Sequence, residues 1–196
     1  MKRIHIILAL ALALSLLAGC AADKTENIAT VSGTEIAFSD GKITASATDG
    51  VEIDGTALTI TASGTYVLSG SCADGSVTVE KGVGGVTLVL NGLTLTSETT
   101  APIVCGKGSE VTIEAAAGTE NTLTDTESNN DESGNADAEN AVIKCKDGSQ
   151  VVLCGAGTLN VQANGKNGIK SGATTEDGEA SLTIRDLTLN INAPVN

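Results

Sequence analysis

Aromatic side chains are almost missing from this chain: one Tyr, one Phe and no Trp occur in 196 residues. A conventional globular core draws much of its buried area from such rings. The core here must therefore come from Val, Ile, Leu, Ala and Thr stacked as layers of like side chains. Proline is equally scarce, with 2 residues against 23 glycines. That balance suits strands that keep their ladder donors and are joined by tight turns. Histidine is limited to His5 and no Cys-x-x-C spacing occurs, which removes the usual donor set of a zinc site. Positive charge is short as well. A formal net charge of −13 argues against nucleic acid as a partner, because phosphates need a cationic surface. It also makes contact with any polyanion awkward unless a cation intervenes.

What is present begins with a targeting segment. Residues 1–19 carry basic Lys2 and Arg3, then the apolar run Ile6–Leu17, then Leu17-Ala18-Gly19 before Cys20. The run is short for a membrane span and reads as a signal peptide. Leu-Ala-Gly-Cys resembles a bacterial lipobox, which implies cleavage before Cys20 and diacylation of that residue. The mature protein is then expected on the extracellular face of the cell membrane, held by its lipid alone. Residues 20–33 form a flexible tether, and 34–196 form the folded domain. Export permits disulfides. Cys105 and Cys145 occupy matching places in adjacent repeats, where parallel strands lie about 4.8 Å apart, inside the Cα range of a disulfide. Free thiols packed as small hydrophobes are the alternative, and spacing does not decide between them.

The repeats are the strongest signal. Val86-Thr-Leu-Val is answered by Val111-Thr-Ile-Glu, Val151-Val-Leu-Cys and Leu182-Thr-Ile-Arg. Ile103-Val-Cys105-Gly is answered by Ile143-Lys-Cys145-Lys and Ile169-Lys-Ser171-Gly. Apolar and small polar residues alternate with period 2, as half-buried strands require. The runs Val86–Leu90 and Leu93–Leu95 are separated by Asn91-Gly92. A spacing of about 25 residues with several strands per unit indicates an all-β solenoid, a parallel β-helix. Residues 34–62, with three Asp-Gly turns, read as a β cap on the first coil. Residues 126–140 are a polar, acidic insertion that has no place in a core. The chain stops at Leu182–Asn196 on strands that ask for another coil, so either the C-terminal end is truncated or its open edge serves self-association.

These motifs together carry a family resemblance. GVEIDGTALTITASGTYVLSGS (50–71), VTLVLNGLTLTS (86–97), GTENTLTD (118–125), ENAVIK (139–144), GAGTLNVQANGKNGIKSG (155–172) and LTIRDLTLNINA (182–193) resemble the secreted polysaccharide-binding β-helix proteins of clostridia and their relatives, known as carbohydrate-binding domain-containing proteins. The resemblance runs from about Val51 to the last residue. It implies a right-handed parallel β-helix related to pectate-lyase folds, bound calcium, and binding of cellulose and acidic plant polysaccharides without established lyase activity. Family members continue beyond the point where this chain ends, and do not usually place Cys at 105, 145 and 154.

Calcium takes six to eight oxygen ligands, and the insertion supplies such donors. Asn129-x-Asp131-x-Ser133-Gly134 loosely echoes the start of a calcium loop, and the family resemblance favours calcium there. The candidate ligands are Asp125, Asp131, Asp137, Glu139 and Asn140. For sugar, only Phe38 and Tyr66 offer aromatic faces, and Tyr66 is expected inside the cap. Binding then depends on hydrogen bonds from Asn, Asp and Thr on a flat sheet face, with Asn164, Lys166, Asn167 and Lys170 as the polar cluster beside the acidic loop. Asn91 and Asn121 are expected to serve structure in turn ladders. The Thr columns are expected to be outward β-formers. Two other functions compete: a structural or adhesive surface protein that pairs edge to edge, and a calcium-dependent uronate lyase with Lys170 as base.

Overall fold

The computed structural model describes residues 32–176 and 178–194. Cys20, the targeting segment and the tether up to residue 31 lie outside the described residues. The described chain is all-β apart from one short 3-10 turn, Asp131–Ser133. Antiparallel hairpins come first: β1 (Thr34–Ser39) with β2 (Lys42–Ala45), and β3 (Val51–Asp54) with β4 (Ala57–Ile60). Every later pairing between strands is parallel. β1 pairs with β5 (Gly64–Cys72), and β4 pairs with β6 (Ser76–Val79). Each hairpin therefore ends one sheet with a reversed strand.

The larger sheet is organised around β7 (Val86–Ser97), which bends in the middle and serves two rows of strands. Its first half pairs with β5 on one side and with β9 (Glu110–Ala115) on the other. β12 (Gln150–Cys154) and β15 (Ser181–Ile184) continue that row. The second half pairs with β10 (Glu120–Asp125), and β13 (Thr158–Gln162) and β16 (Thr188–Asn192) follow. The smaller sheet runs β14 (Asn167–Lys170), β11 (Ala141–Cys145), β8 (Ile103–Cys105), β6, β4, β3.

The internal repeat is realised as register. Val86, Val111, Val151 and Leu182 lie in one column, and Leu88, Ile113, Leu153 and Ile184 lie in the next inward column. Val77, Ile103, Ile143 and Ile169 form the matching column of the smaller sheet. Leu88, Leu95, Ile103, Leu123 and Ile143 are fully buried. Each such side chain contributes about 1.5–3 kcal/mol of hydrophobic stabilisation, so ring-free rungs suffice for a core. Cys105 and Cys145 pair in register as buried free thiols.

The structure differs from the sequence expectation at Asn91-Gly92. These residues bend one continuous strand instead of separating two. Gly92 takes a positive φ of 74°, and the amide of Asn121 receives the backbone N–H groups freed at the bend. Asn121 thus sits inside the molecule and forms no ladder with the exposed Asn91. Among the described residues, no helix is long and apolar enough to cross a membrane. Large apolar side chains surface at Ile184 and Ile191, 48% and 50% exposed on the outermost strands β15 and β16.

Candidate functional site

The acidic insertion is tied down from within. Strand alternation in β10 turns Thr124 outward and Asp125 inward, and Asp125 is fully buried. Its Oδ1 accepts the backbone N–H groups of Asn164 at 2.6 Å and Gly165 at 3.1 Å, and its Oδ2 accepts from Asn129 Nδ2 at 2.9 Å. Gly165 permits this approach: a Cβ there would meet the carbonyl oxygens of Asn129 and Thr126. Asn129 is buried as well, donating to Ala141 O while its Oδ1 accepts from Glu139 N and Asn140 N. A segment expected to lie wholly outside the core, residues 126–140, therefore contributes Asn129 to the few buried polar side chains, packed against Asp125 at the end of β10.

The five donors proposed for calcium do not converge. Asp125 is saturated by amides. Asp131 lies 3.8 Å from Lys166 Nζ, and Glu139 forms an ion pair of 2.6 Å with Lys146. Asn140 Oδ1 accepts from Asp131 N, and its carbonyl accepts from Asn167 Nδ2. Asp137 lines a cleft of about 570 Å³ with Glu139, Asp54 and Asp74. Among the described residues, no group of three or more His, Cys, Asp or Glu is placed to hold a metal ion. The set does not fit a calcium ion as it stands, so no function is routed through one.

Three of the four expected sugar-binding residues are brought onto the insertion, where they serve it. Asn164 Nδ2 donates to Asp125 O, Asn167 Nδ2 donates to Asn140 O, and Lys166 donates to Glu132 at 3.0 Å. The Glu132 hydrogen bond pushes the Lys166 pKa up. Lys170 is elsewhere, exposed and in register with Lys144. Burial, and then the charge of Lys170, pull the Lys144 pKa down. Neither aromatic ring is free for stacking: Phe38 and Tyr66 are buried, and the Tyr66 hydroxyl donates to Ala62 O at 2.9 Å.

An ordered polar surface lies instead on the outer face of the β7 second half, β10, β13 and β16. One column runs Ser71, Thr94, Thr122, Asn160, Asn190; the next runs Thr96, Thr124, Gln162, Asn192. Glu120, Thr158 and Thr188 form a third. Neighbouring levels are linked through their side chains. Asn160 Nδ2 donates to Glu120 Oε1 at 2.8 Å, Asn190 Nδ2 to Asn160 Oδ1 at 2.9 Å, and Asn192 Nδ2 to Gln162 Oε1 at 3.0 Å. Glu120 is the single carboxylate in these columns. The result is an array of hydroxyls and amides in which the carboxamides of Asn160, Asn190, Gln162 and Asn192 are held in place by neighbouring side chains. Its sequence signal is Thr-Leu-Thr at 94–96 and 122–124, Asn-Val-Gln at 160–162 and Asn-Ile-Asn at 190–192, which becomes a pattern only once the levels are aligned.

A family model described as "Carbohydrate-binding domain-containing protein" matches residues 54–196. A protein of Acetivibrio thermocellus with the same description is 32% identical over 152 residues, covering 77% of this chain and 52% of that protein. The solved structure titled as the polysaccharide lyase-like protein from C. thermocellum, a gadolinium derivative, is similar with a TM-score of 0.68. Its identity is 32%, and the match covers 83% of this chain and 62% of that one. The chain thus spans about half the length of the Acetivibrio relative.

Proposed function

The chain belongs to the family of carbohydrate-binding domain-containing proteins, and from that premise we propose that it holds polysaccharide at the bacterial cell surface without transforming it. The Thr, Asn and Gln columns carry this proposal. A glycan presents hydroxyls that both donate and accept, and Thr hydroxyls and carboxamides match both roles. Side chains already held by their neighbours lose little conformational freedom on binding. A flat, nearly uncharged array on an acidic protein suits a flat, uncharged chain, so an unsubstituted β-glucan such as cellulose is the proposed ligand of this face. Hydrogen bonding of this kind needs no cation. The column register supports taking the architecture as a parallel β-helix, right-handed as the family resemblance implies, whose regular levels give the face its repeat. Lyase chemistry has less behind it: Lys170 lies in register with a second lysine, Lys144, and no group of three or more His, Cys, Asp or Glu among the described residues is placed beside it to hold a metal.

The test is retention on microcrystalline cellulose. Wild-type protein should be retained equally with and without EDTA. The double variant Thr122→Ala, Asn160→Ala should bind about tenfold more weakly, since each lost hydrogen bond is worth about 0.5–1.5 kcal/mol. Thr87→Ala, on the other half of β7, should bind as wild type. Unretained wild-type protein would sink the proposal. We also propose anchoring through diacylated Cys20, motivated by the Leu-Ala-Gly-Cys sequence. Cys20→Ser should move the protein from the membrane fraction into the medium, and an unchanged membrane fraction would refute it.

A further inference from the structure

The outer side of the larger sheet folds in on itself where β5 and β7 bend. Gly70 of β5 and Gly92 of β7 take positive φ values of 93° and 74°, and the two strands stay paired through the bend. Val67 and Val89 lie in register just before it. Alternation turns them away from the core, whose side is occupied by their neighbours Leu68 and Leu90. Outward residues of a sheet with one packed face are ordinarily wet. Val67 and Val89 are instead 7% and 1% exposed, and with Ala116 they form an apolar cluster separate from the core. The outer surface is therefore concave at this corner.

A pocket of about 420 Å³ opens there, between the β1–β2 hairpin and the bend. Val67 and Ala37 supply apolar lining, and Glu35, Thr44, Ser69 and Asn91 supply a carboxylate, two hydroxyls and an amide. Among the described residues, no hydrogen bond or ion pair to the protein engages these four polar side chains. Sites for small ligands commonly enclose about 300–1,000 Å³, with apolar walls and a few polar groups that fix orientation. A sugar ring matches this lining. Its C–H face suits Val67 and Ala37, and its hydroxyls both donate and accept, as the amide and the hydroxyls do. An anionic ligand would meet Glu35 on a protein with a formal net charge of −13.

The pocket adjoins the neutral columns from the side. Ser69 lies two residues before Ser71, about 7 Å along β5, and Ser71 pairs with Thr94 at the head of a column. A glycan backbone lying on the columns follows the stacked levels and passes the pocket without entering it. One sugar attached to that backbone can reach across the bend. We propose that the pocket binds a single uncharged sugar unit carried as a branch on the β-glucan chain held by the Thr and Asn columns. The inference rests on glycan binding by those columns and extends their ligand from the bare chain to a substituted one. Ser69 and Asn91, nearest the columns, hold the branch close to its linkage, and Glu35 and Thr44 take the hydroxyls on its far side.

The experiment is isothermal titration with cellotetraose and with the same tetramer bearing single-xylose branches, alongside retention on microcrystalline cellulose. Wild-type protein should bind the branched tetramer about tenfold more tightly than the bare one, the worth of one or two added hydrogen bonds. Ala37→Phe, which fills the pocket, should erase that advantage, and Asn91→Ala should cut it about threefold. Both variants should keep the wild-type cellulose retention and melting temperature. Equal wild-type affinity for the two tetramers would overturn the proposal, as would an undiminished advantage in Ala37→Phe. Should Ala37→Phe not fold, an undiminished advantage in Asn91→Ala overturns it as well. Weaker binding of bare cellotetraose by Ala37→Phe would put a chain end in the pocket and overturn the branch assignment. Retention on cellulose with neither tetramer bound would remove the pocket alone, whereas loss of cellulose retention by wild type would bring down the columns with it.

Discussion

Asn121 holds the bend of β7 from inside the molecule. It occupies an inward column shared with Leu93, Leu159 and Leu189, where an uncompensated amide would cost several kcal/mol. Every hydrogen-bonding site on the amide has a partner. Oδ1 accepts from Gly92 N and Leu93 N, both at 2.9 Å, and Nδ2 donates to Thr119 Oγ1 at 3.0 Å and Thr158 O at 3.2 Å. One side chain thus stitches the bend in β7 to the strands on either side of β10. Asn121→Ala would leave the buried Leu93 N–H without an acceptor and should lower the unfolding free energy by about 3 kcal/mol. Thr124→Ala, three residues along the same strand and facing outward, should change it by less than about 0.5 kcal/mol. Urea unfolding with a common m-value would measure both. Similar losses for the two variants would show that the amide has no special role.

At the scale of the strand and loop, the register columns were legible in the sequence because period-2 alternation and repetition report the same geometry twice. Val86, Val111, Val151 and Leu182 align for that reason, and so do Cys105 and Cys145. The alternation also held a signal about Asp125, which follows outward Thr124 and so falls on the inner face. Its acidity pointed the other way, toward a metal, and the amides that satisfy it come from Asn129, Asn164 and Gly165. Partners of that kind are invisible in a polar stretch, because composition does not say which amide donates to which oxygen. The same holds for Lys166 and Asn167, which look free in the sequence and are engaged in the structure. The outer face was legible only as outward-facing Thr on a flat sheet, not as the aligned columns of Thr, Asn and Gln. Thr-Leu-Thr reads as an ordinary strand, and only its alignment above Asn-Val-Gln and Asn-Ile-Asn turns it into a surface.

Across the whole molecule the acidic and basic groups pull in opposite directions, and ionic strength separates them. With a formal net charge of −13, the folded state repels itself at low salt, since folding brings carboxylates closer together than they are in an extended chain. Raising sodium chloride from about 10 to 150 mM shortens the Debye length from about 30 to 8 Å. That screens repulsion between carboxylates on different faces while leaving contacts such as Lys146–Glu139, at 2.6 Å, largely intact. The midpoint of thermal unfolding should therefore rise by about 3 °C over that range, an increment of under 1 kcal/mol for a domain of this size. Neutral-glycan retention on the Thr and Asn columns, whose donors and acceptors are uncharged apart from Glu120, should stay level throughout. Scanning calorimetry and the cellulose retention assay on one protein preparation would show both trends. A melting temperature that fell with added salt would mean that attractive pairs, and not the carboxylate excess, dominate the field of this molecule.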